Sequence, residues 1–382
     1  MTKLFYIGIG GIVLFEILRV YFIMPMPGSQ QMNSLDLAYF LHSYRWYFRL
    51  FFGSMVVVGA FRAFQVKHKW IPTVALSAML YIIYTFNFEM LADKMFKQPE
   101  KVTFKTQAEN MLRDSSIVLG VEYNGQAKAY PLRFIAYHHQ VRDTIGGKAM
   151  IITYCNVCRT GRVFEPVVKN ELEEFRLVGM DHFNAMFEDK TTGSWWRQVN
   201  GEAVAGPLKG EQLPEVESSQ LTVKKWFELY PNGLVMQLDE ASRENYDSLG
   251  RFERGKSKGK LTRTDSLSWK DKSWVVGIQI NEESKAYDWN ELKVKRIIND
   301  KLGGKALVLA LAADNQSFAA FERPLDSIHF SIQNDTLYAN GTPYSFSGHN
   351  VVQPGRLKVI KAYQEFWHSW RTFHPETKQY KE

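Results

Sequence analysis

At 382 residues the chain is long enough for two or three domains, and with 45% hydrophobic and 23% charged residues it has the composition of a folded protein, which excludes general disorder. The formal net charge of +7 would suit a nucleic-acid partner. Its basic residues, however, lie in short loops beside apolar segments and in the run "RFERGKSKGKLTR" at 251–263, with no zinc-finger spacing, RNA-binding aromatic motif or recognition-helix pattern, so no nucleic-acid partner is expected.

Three apolar segments open the chain. Residues 4–24, "LFYIGIGGIVLFEILRVYFIM", come close to the roughly 20 residues that cross a bilayer. A second segment runs over 45–64 and a third, "WIPTVALSAMLYIIYTFNF", over 70–88. Glu16 and Arg19 stand three positions apart in the first, near enough to pair on one helix face as a packing contact. No small-residue cleavage site follows, so the first segment reads as a retained anchor. Lys3 precedes it, and Arg62, Lys67 and Lys69 sit between the second and third segments, whereas "PMPGSQQMNSLDLAYF" at 25–40 has neither Lys nor Arg. The positive-inside rule then predicts a multi-pass protein of the inner (cytoplasmic) membrane, with the lipid bilayer and other membrane proteins as partners and everything after residue 87 periplasmic. Arg45 and Arg49 oppose this: if the second segment were only interfacial, the large domain would be cytoplasmic.

Beyond the anchor the chain repeats itself. Residues 116–165 align without a gap on 273–322, placing Gly120 on Gly277, Tyr130 on Tyr287, Asp143 on Asp300 and Phe164 on Phe321. "WFELYPN" at 226–232 matches "WRTFHPE" at 370–376 more loosely. The period exceeds that of solenoid repeats, so a tandem domain pair is predicted. Each copy reads as a hairpin, a short helix, and a Gly-Gly turn into an apolar strand. In the first copy a further hairpin turns at Thr192-Gly193, and a helix stops at Pro231. The predicted fold class is α+β, three transmembrane helices followed by a duplicated, mainly antiparallel domain. Its predicted parts are an anchor over 1–90, a linker over 91–114, a first copy over 115–240, a basic connecting loop over 241–271 and a degenerate second copy over 272–382.

The reactive residues do not recur. Cys155 and Cys158, the chain's two cysteines, face Ala312 and Asn315, while His138 and His139 face Lys295 and Arg296. Thiols and imidazoles missing together from one copy suggest one site in the other. The Cys-x-x-Cys corner with His138, His139 or His182 forms a Cys/His set that suits copper or zinc. A thiol–disulfide oxidoreductase built on Cys155 and Cys158 is the second reading, although the "RVFEPVV" that follows them predicts a strand where thioredoxin-type sites have a helix N-terminus. A structural module of a membrane complex, locked by a Cys155–Cys158 disulfide, is the third. Cysteine nucleophilic catalysis lacks an identifiable orienting Asn or Asp, so whether the chain is an enzyme stays open. The Gly-Gly-Lys of "TIGGKAM" recurs in "KLGGKAL", which marks a turn rather than a nucleotide loop. His368 and His374 would join the site only if the C-terminal helix folds back over it.

The stretch "AYPLRFIAYHHQVRDTIGGKAMIITYCNVCRTGRVF", followed by "NAMFEDKTTGSWWRQVNGEAVAGPLKG", resembles a bacterial family catalogued as domain of unknown function 3179. The resemblance implies a site drawn from His138, Asp143, Cys155, Cys158, Asn184, Trp196 and Gln198. His139 stands where the family commonly has an acid, and Arg159 where it usually has Gly. The family accepts Thr at the second cysteine, which implies that Cys155 and His138 matter most. It implies no reaction.

Overall fold

A computed structural model describes residues 2–381, and the chain is α+β with mainly antiparallel sheets. It divides into two compact units. One comprises Met1–Lys97, Glu173–Arg197 and Glu202–Gln212; the other comprises Gln98–Leu172, Gln198–Gly201 and Leu213–Glu382.

The first unit begins with the helices Thr2–Tyr21, Arg45–Ala63 and Trp70–Tyr84, the last running on as a π-turn over Thr85–Glu89. Among the described residues two helices, Thr2–Tyr21 and Trp70–Glu89, are long and apolar enough to cross a membrane. Three comparable segments were expected. The middle helix falls short because it carries Arg45, Arg49 and Arg62. Glycines let the helix backbones meet: a Cβ on Gly8 would lie 2.7 Å from Phe52 O, and one on Gly59 would lie 2.5 Å from Phe5 N. Such small-residue contacts are the usual glue between helices where lipid removes the hydrophobic drive. Outward, Leu50, Val57 and Phe61 on the middle helix and Val74, Leu80 and Phe88 on the third segment are exposed.

The expected Glu16–Arg19 pair forms at 3.1 Å, and it is part of a larger network. Arg49 Nε donates to Glu16 Oε1 at 2.7 Å, and Asn87 Oδ1 accepts from both Arg19 and Arg49. Three helices are thus tied at one end around a fully buried carboxylate. At that end the backbone after the first helix meets a four-stranded antiparallel sheet of Phe175–Asp181, Asn184–Asp189, Trp195–Arg197 and Ala203–Ala205. Met180 N donates to Ile23 O at 2.7 Å, and Ile23, Ala38, Met186 and Trp195 share an apolar cluster.

This sheet lies within the span expected to form one first copy over 115–240, yet it packs with the N-terminal helices. The stretch expected as a linker contains the helix Ala92–Met95 and the strand Phe104–Lys105, which pairs with Leu234–Met236. The expected connecting loop contains the helices Arg243–Ser248 and Gly250–Glu253.

In the second unit one order of elements occurs twice. Ile117–Tyr123 pairs with Gln126–Pro131, then come the helix Leu132–His138 and the strands Gln140–Ile145, Lys148–Cys155 and Thr160–Phe164. Trp274–Ile280 pairs with Glu283–Asp288, followed by Trp289–Lys295, Ile297–Leu302, Lys305–Leu311 and Phe318–Glu322. A later strand and helix close each set, Ser219–Thr222 with Val223–Leu229 and Ala362–Phe366 with Trp367–Phe373. Trp226 lies over Gly120 and Trp370 over Gly277, where a Cβ would meet the indole at 2.3 and 2.1 Å. Lys128 and Tyr130 hold Asp143, and Lys285 and Tyr287 hold Asp300 in the same way. Residues of both sets share one apolar core, from Ile117 through Phe366.

Candidate functional site: a buried dithiol corner

Cys155 and Cys158 sit at the tip of the hairpin formed by Lys148–Cys155 and Thr160–Phe164, where Cys155 pairs with Thr160. Reversal of the chain there requires a left-handed residue, and Arg159 takes φ 58°. Its guanidinium turns inward, donating to Phe252 O at 3.0 Å, Glu253 O at 2.9 Å and Gln364 Oε1 at 3.1 Å, with Trp274 stacked at 3.7 Å. Gln198 steadies the same hairpin, its amide donating to Thr153 Oγ1 and to Thr160 O. Both cysteines are fully buried and no disulfide joins them.

The second repeat covers the corner. Phe366 N donates to Cys158 O at 2.9 Å, which places the helix Trp367–Phe373 against the thiols. Ser369 lies on that helix. Its hydroxyl donates to Glu365 Oε2 at 2.9 Å. The other carboxylate oxygen of Glu365 accepts from Thr160 at 2.9 Å and from Arg162 at 2.7 Å. On the opposite flank Lys272 Nζ donates to Val157 O at 2.8 Å and lies 2.9 Å from His368 Nε2, which is itself 3.2 Å from Val157 O. The helix thus folds back, as the sequence required for His368 to take part.

Burial pushes the Cys158 thiol well above its ordinary value, and a hydrogen bond to Cys155 raises it further. Burial pulls Lys272 down to about 8, opposed by the negative charge that Cys158 and Cys155 can carry. Burial, followed by the neighbouring Lys272 ammonium, lowers His368 to about 4, so it is neutral at pH 7.

Each imidazole expected as a metal ligand has a protein partner. His138 Nε2 shares a 2.5 Å hydrogen bond with the Tyr246 hydroxyl. His139 closes its helix in the left-handed region, where its Nδ1–H donates to Tyr137 O at 3.0 Å and burial lowers its pKa to about 4. His182 belongs to the other compact unit and bonds Asp181 and Asn33. Among the described residues no group of three or more His, Cys, Asp or Glu is arranged to hold a metal ion.

The remaining expected site residues divide the same way. Asp143 belongs to the lysine–tyrosine network that both repeats carry. Asn184 and Trp196 are buried in the first unit's sheet. Trp196 Nε1 donates to Asp189, which also accepts from the backbone of Thr192, Gly193 and Ser194 and so organises that tight turn. Lys272, Glu365 and Ser369 were missed by sequence reasoning. A signal existed: with Trp226 aligned on Trp370, Glu365 falls opposite the buried Leu221, so a carboxylate occupies an apolar slot.

A family model described as "Protein of unknown function (DUF3179)" matches residues 96–377, and the chain belongs to that family. No curated protein and no solved structure gives a significant match.

Proposed function

For this member of the DUF3179 family, we propose a membrane-anchored, extracytoplasmic thiol–disulfide centre in which Cys155 and Cys158 cycle between dithiol and disulfide. The observation that carries this reading is the pair of fully buried thiols at one hairpin tip, with the Lys272 ammonium donating to Val157 O between them at 2.8 Å. Lys272 lowers the cost of a thiolate in a buried setting and works against a divalent cation at the same point. Cys155, as its thiolate, attacks a substrate disulfide RS–SR, forming a mixed disulfide and releasing RS⁻. Cys158 then attacks the Cys155 sulfur, the internal disulfide forms, and the second RS⁻ leaves with its electron pair. Two electrons pass from the protein to the substrate disulfide, and the two thiol protons end on the released thiols.

The apolar outer faces of the N-terminal helices, their glycine-mediated contacts and the absence of Lys and Arg from the 25–40 loop support the placement in the cytoplasmic membrane. The test uses the full chain in mild detergent. Two thiols should vanish in oxidised glutathione, return with dithiothreitol, and be accompanied by no bound metal. Copper or zinc retained in proportion to protein, and lost in Cys155→Ser, would establish the competing metal site instead. A disulfide that resists reduction in the folded chain would make the pair a structural lock.

A further inference from the structure

We propose that the cleft between the two repeats binds a small organic acid, its carboxylate held at the inner end by Tyr154 and Gln364 and its apolar body lying along the outer part. The outer part opens to solvent and has a volume of about 680 Å³, within the usual range of small-molecule pockets. Its walls are the strand Ser219–Thr222 of the first repeat and Phe318–Glu322 of the second, and Leu221, Phe321, Phe346 and Ile360 give it apolar sides. A narrower hollow of about 370 Å³ adjoins it, sharing Ser218, Gln220, Phe318 and Ala362, and there Tyr154 and Gln364 enter the lining. The cleft departs from the internal symmetry. With Trp226 aligned on Trp370, Ser219 falls on Tyr363, and the gap-free repeat places Ala319 on Arg162. In that other half Arg162 and Tyr363 stack at 3.3 Å and occupy the place that Ser219 and Ala319 leave open.

The inner end is built to donate. Tyr154 and Gln364 are 2% and 3% exposed, and among the described residues neither Tyr154 Oη nor Gln364 Nε2 has a hydrogen-bond partner. An unpaired donor out of water carries the full cost of its desolvation, so an acceptor placed between the two is favoured. The carboxamide is fixed in this sense, because Gln364 Oε1 accepts from Arg159 Nε at 3.1 Å and from Gln220 Nε2 at 3.2 Å. Burial raises the Tyr154 hydroxyl above its ordinary value, which keeps its proton available. The Arg159 guanidinium, held by two backbone carbonyls, polarises the Gln364 amide and adds positive charge behind it. The acid that Arg159 feels, Glu253, is engaged by Ile117 N at 2.8 Å. Donors backed by a cation select an anionic oxygen over a neutral one and reject an ammonium. The site is separate from the dithiol: Tyr154 and Cys155 are consecutive on one strand, so their side chains leave on opposite faces.

The experiment titrates the full chain in mild detergent with phenylacetate, phenylacetamide and phenethylamine by isothermal calorimetry. Similar apolar bodies then carry an anionic acceptor, a neutral acceptor and a cation. The carboxylate should bind about tenfold tighter than the amide, and the amine should not bind. Tyr154→Phe should weaken the carboxylate about tenfold. The same variant should keep the melting temperature of the unliganded chain at or above the wild-type value, since it removes a hydroxyl with no partner. Ser219→Tyr combined with Ala319→Arg, which copies the filled half, should abolish binding. Tyr154→Phe keeps the shape of the side chain and so covers the case in which the double variant fails to fold. No binding of phenylacetate at about 10 mM, the result expected of a hollow that holds only water, overturns the site. So does unaltered affinity in the variants, or an amide or amine bound as tightly as the carboxylate. A lowered melting temperature in Tyr154→Phe overturns it as well, because the hydroxyl is then satisfied within the folded chain.

Discussion

The site is set by what burial does to single residues. His139 and His368 are each held near pKa 4 in the folded chain, against 6.5 for an imidazole in water. Between those values the unfolded chain binds more protons than the folded one, so stability falls as pH drops from 6.5 towards 4. The loss is roughly 3 kcal/mol for each imidazole by pH 4. His139→Asn separates the two, because asparagine tolerates the left-handed φ of 62° found there. Unfolding of the detergent-solubilised chain, followed by tryptophan fluorescence across this pH range, should show an acid-induced loss smaller by about 3 kcal/mol in that variant. The same slope in both proteins would show that His139 ionises freely when folded. Cys158 illustrates the opposite case: burial keeps it protonated.

At the scale of elements, the two Trp-over-Gly seats fix which helix covers the thiols. A methyl group at Gly277 would stand 2.1 Å from the Trp370 ring and one at Gly120 2.3 Å from Trp226. Alanine at either glycine should cost about 1–3 kcal/mol through overpacking. Only Gly277→Ala loosens the helix that bears His368 and Ser369, so only that variant should speed iodoacetamide labelling of Cys158. Equal labelling of both variants would mean that the helix seat does not gate the corner. Much of this was legible in the sequence: the gap-free repeat foretold the paired element order, and the loss of Cys155, Cys158, His138 and His139 from one copy singled out the hairpin. What the pattern could not supply was direction. His138 ends a helix beside the Tyr246 hydroxyl and His139 caps it in the left-handed region against Tyr137 O, and adjacency in sequence says nothing of that turn. Lys272, Glu365 and Ser369 lie more than a hundred residues from the thiols, and only the pairing of the two repeats brings them there.

For the whole chain the open choice is between two and three membrane crossings, and the middle helix decides it. An even number returns the C-terminus to the side of Lys3, and an odd number carries it across. Arg49 makes Arg45–Ala63 the least apolar of the three helices, but its charge is met by Glu16 at 2.7 Å and by Asn87, which lowers the cost of placing it near a bilayer surface. Arg62, Lys67 and Lys69 cluster at the opposite end of that helix, where the positive-inside rule favours the cytoplasm. We propose three crossings, an arrangement that would put the thiols in an oxidising compartment where a dithiol can turn over. Alkaline phosphatase fused after the last residue should then be active, and green fluorescent protein fused there should stay dark. Fusions in the 64–69 loop should give the reverse. Bright fluorescent protein at the C-terminus would mean that the middle helix lies at the interface, and it would move the thiols into a reducing cytosol, where net oxidation of the pair has no driving force.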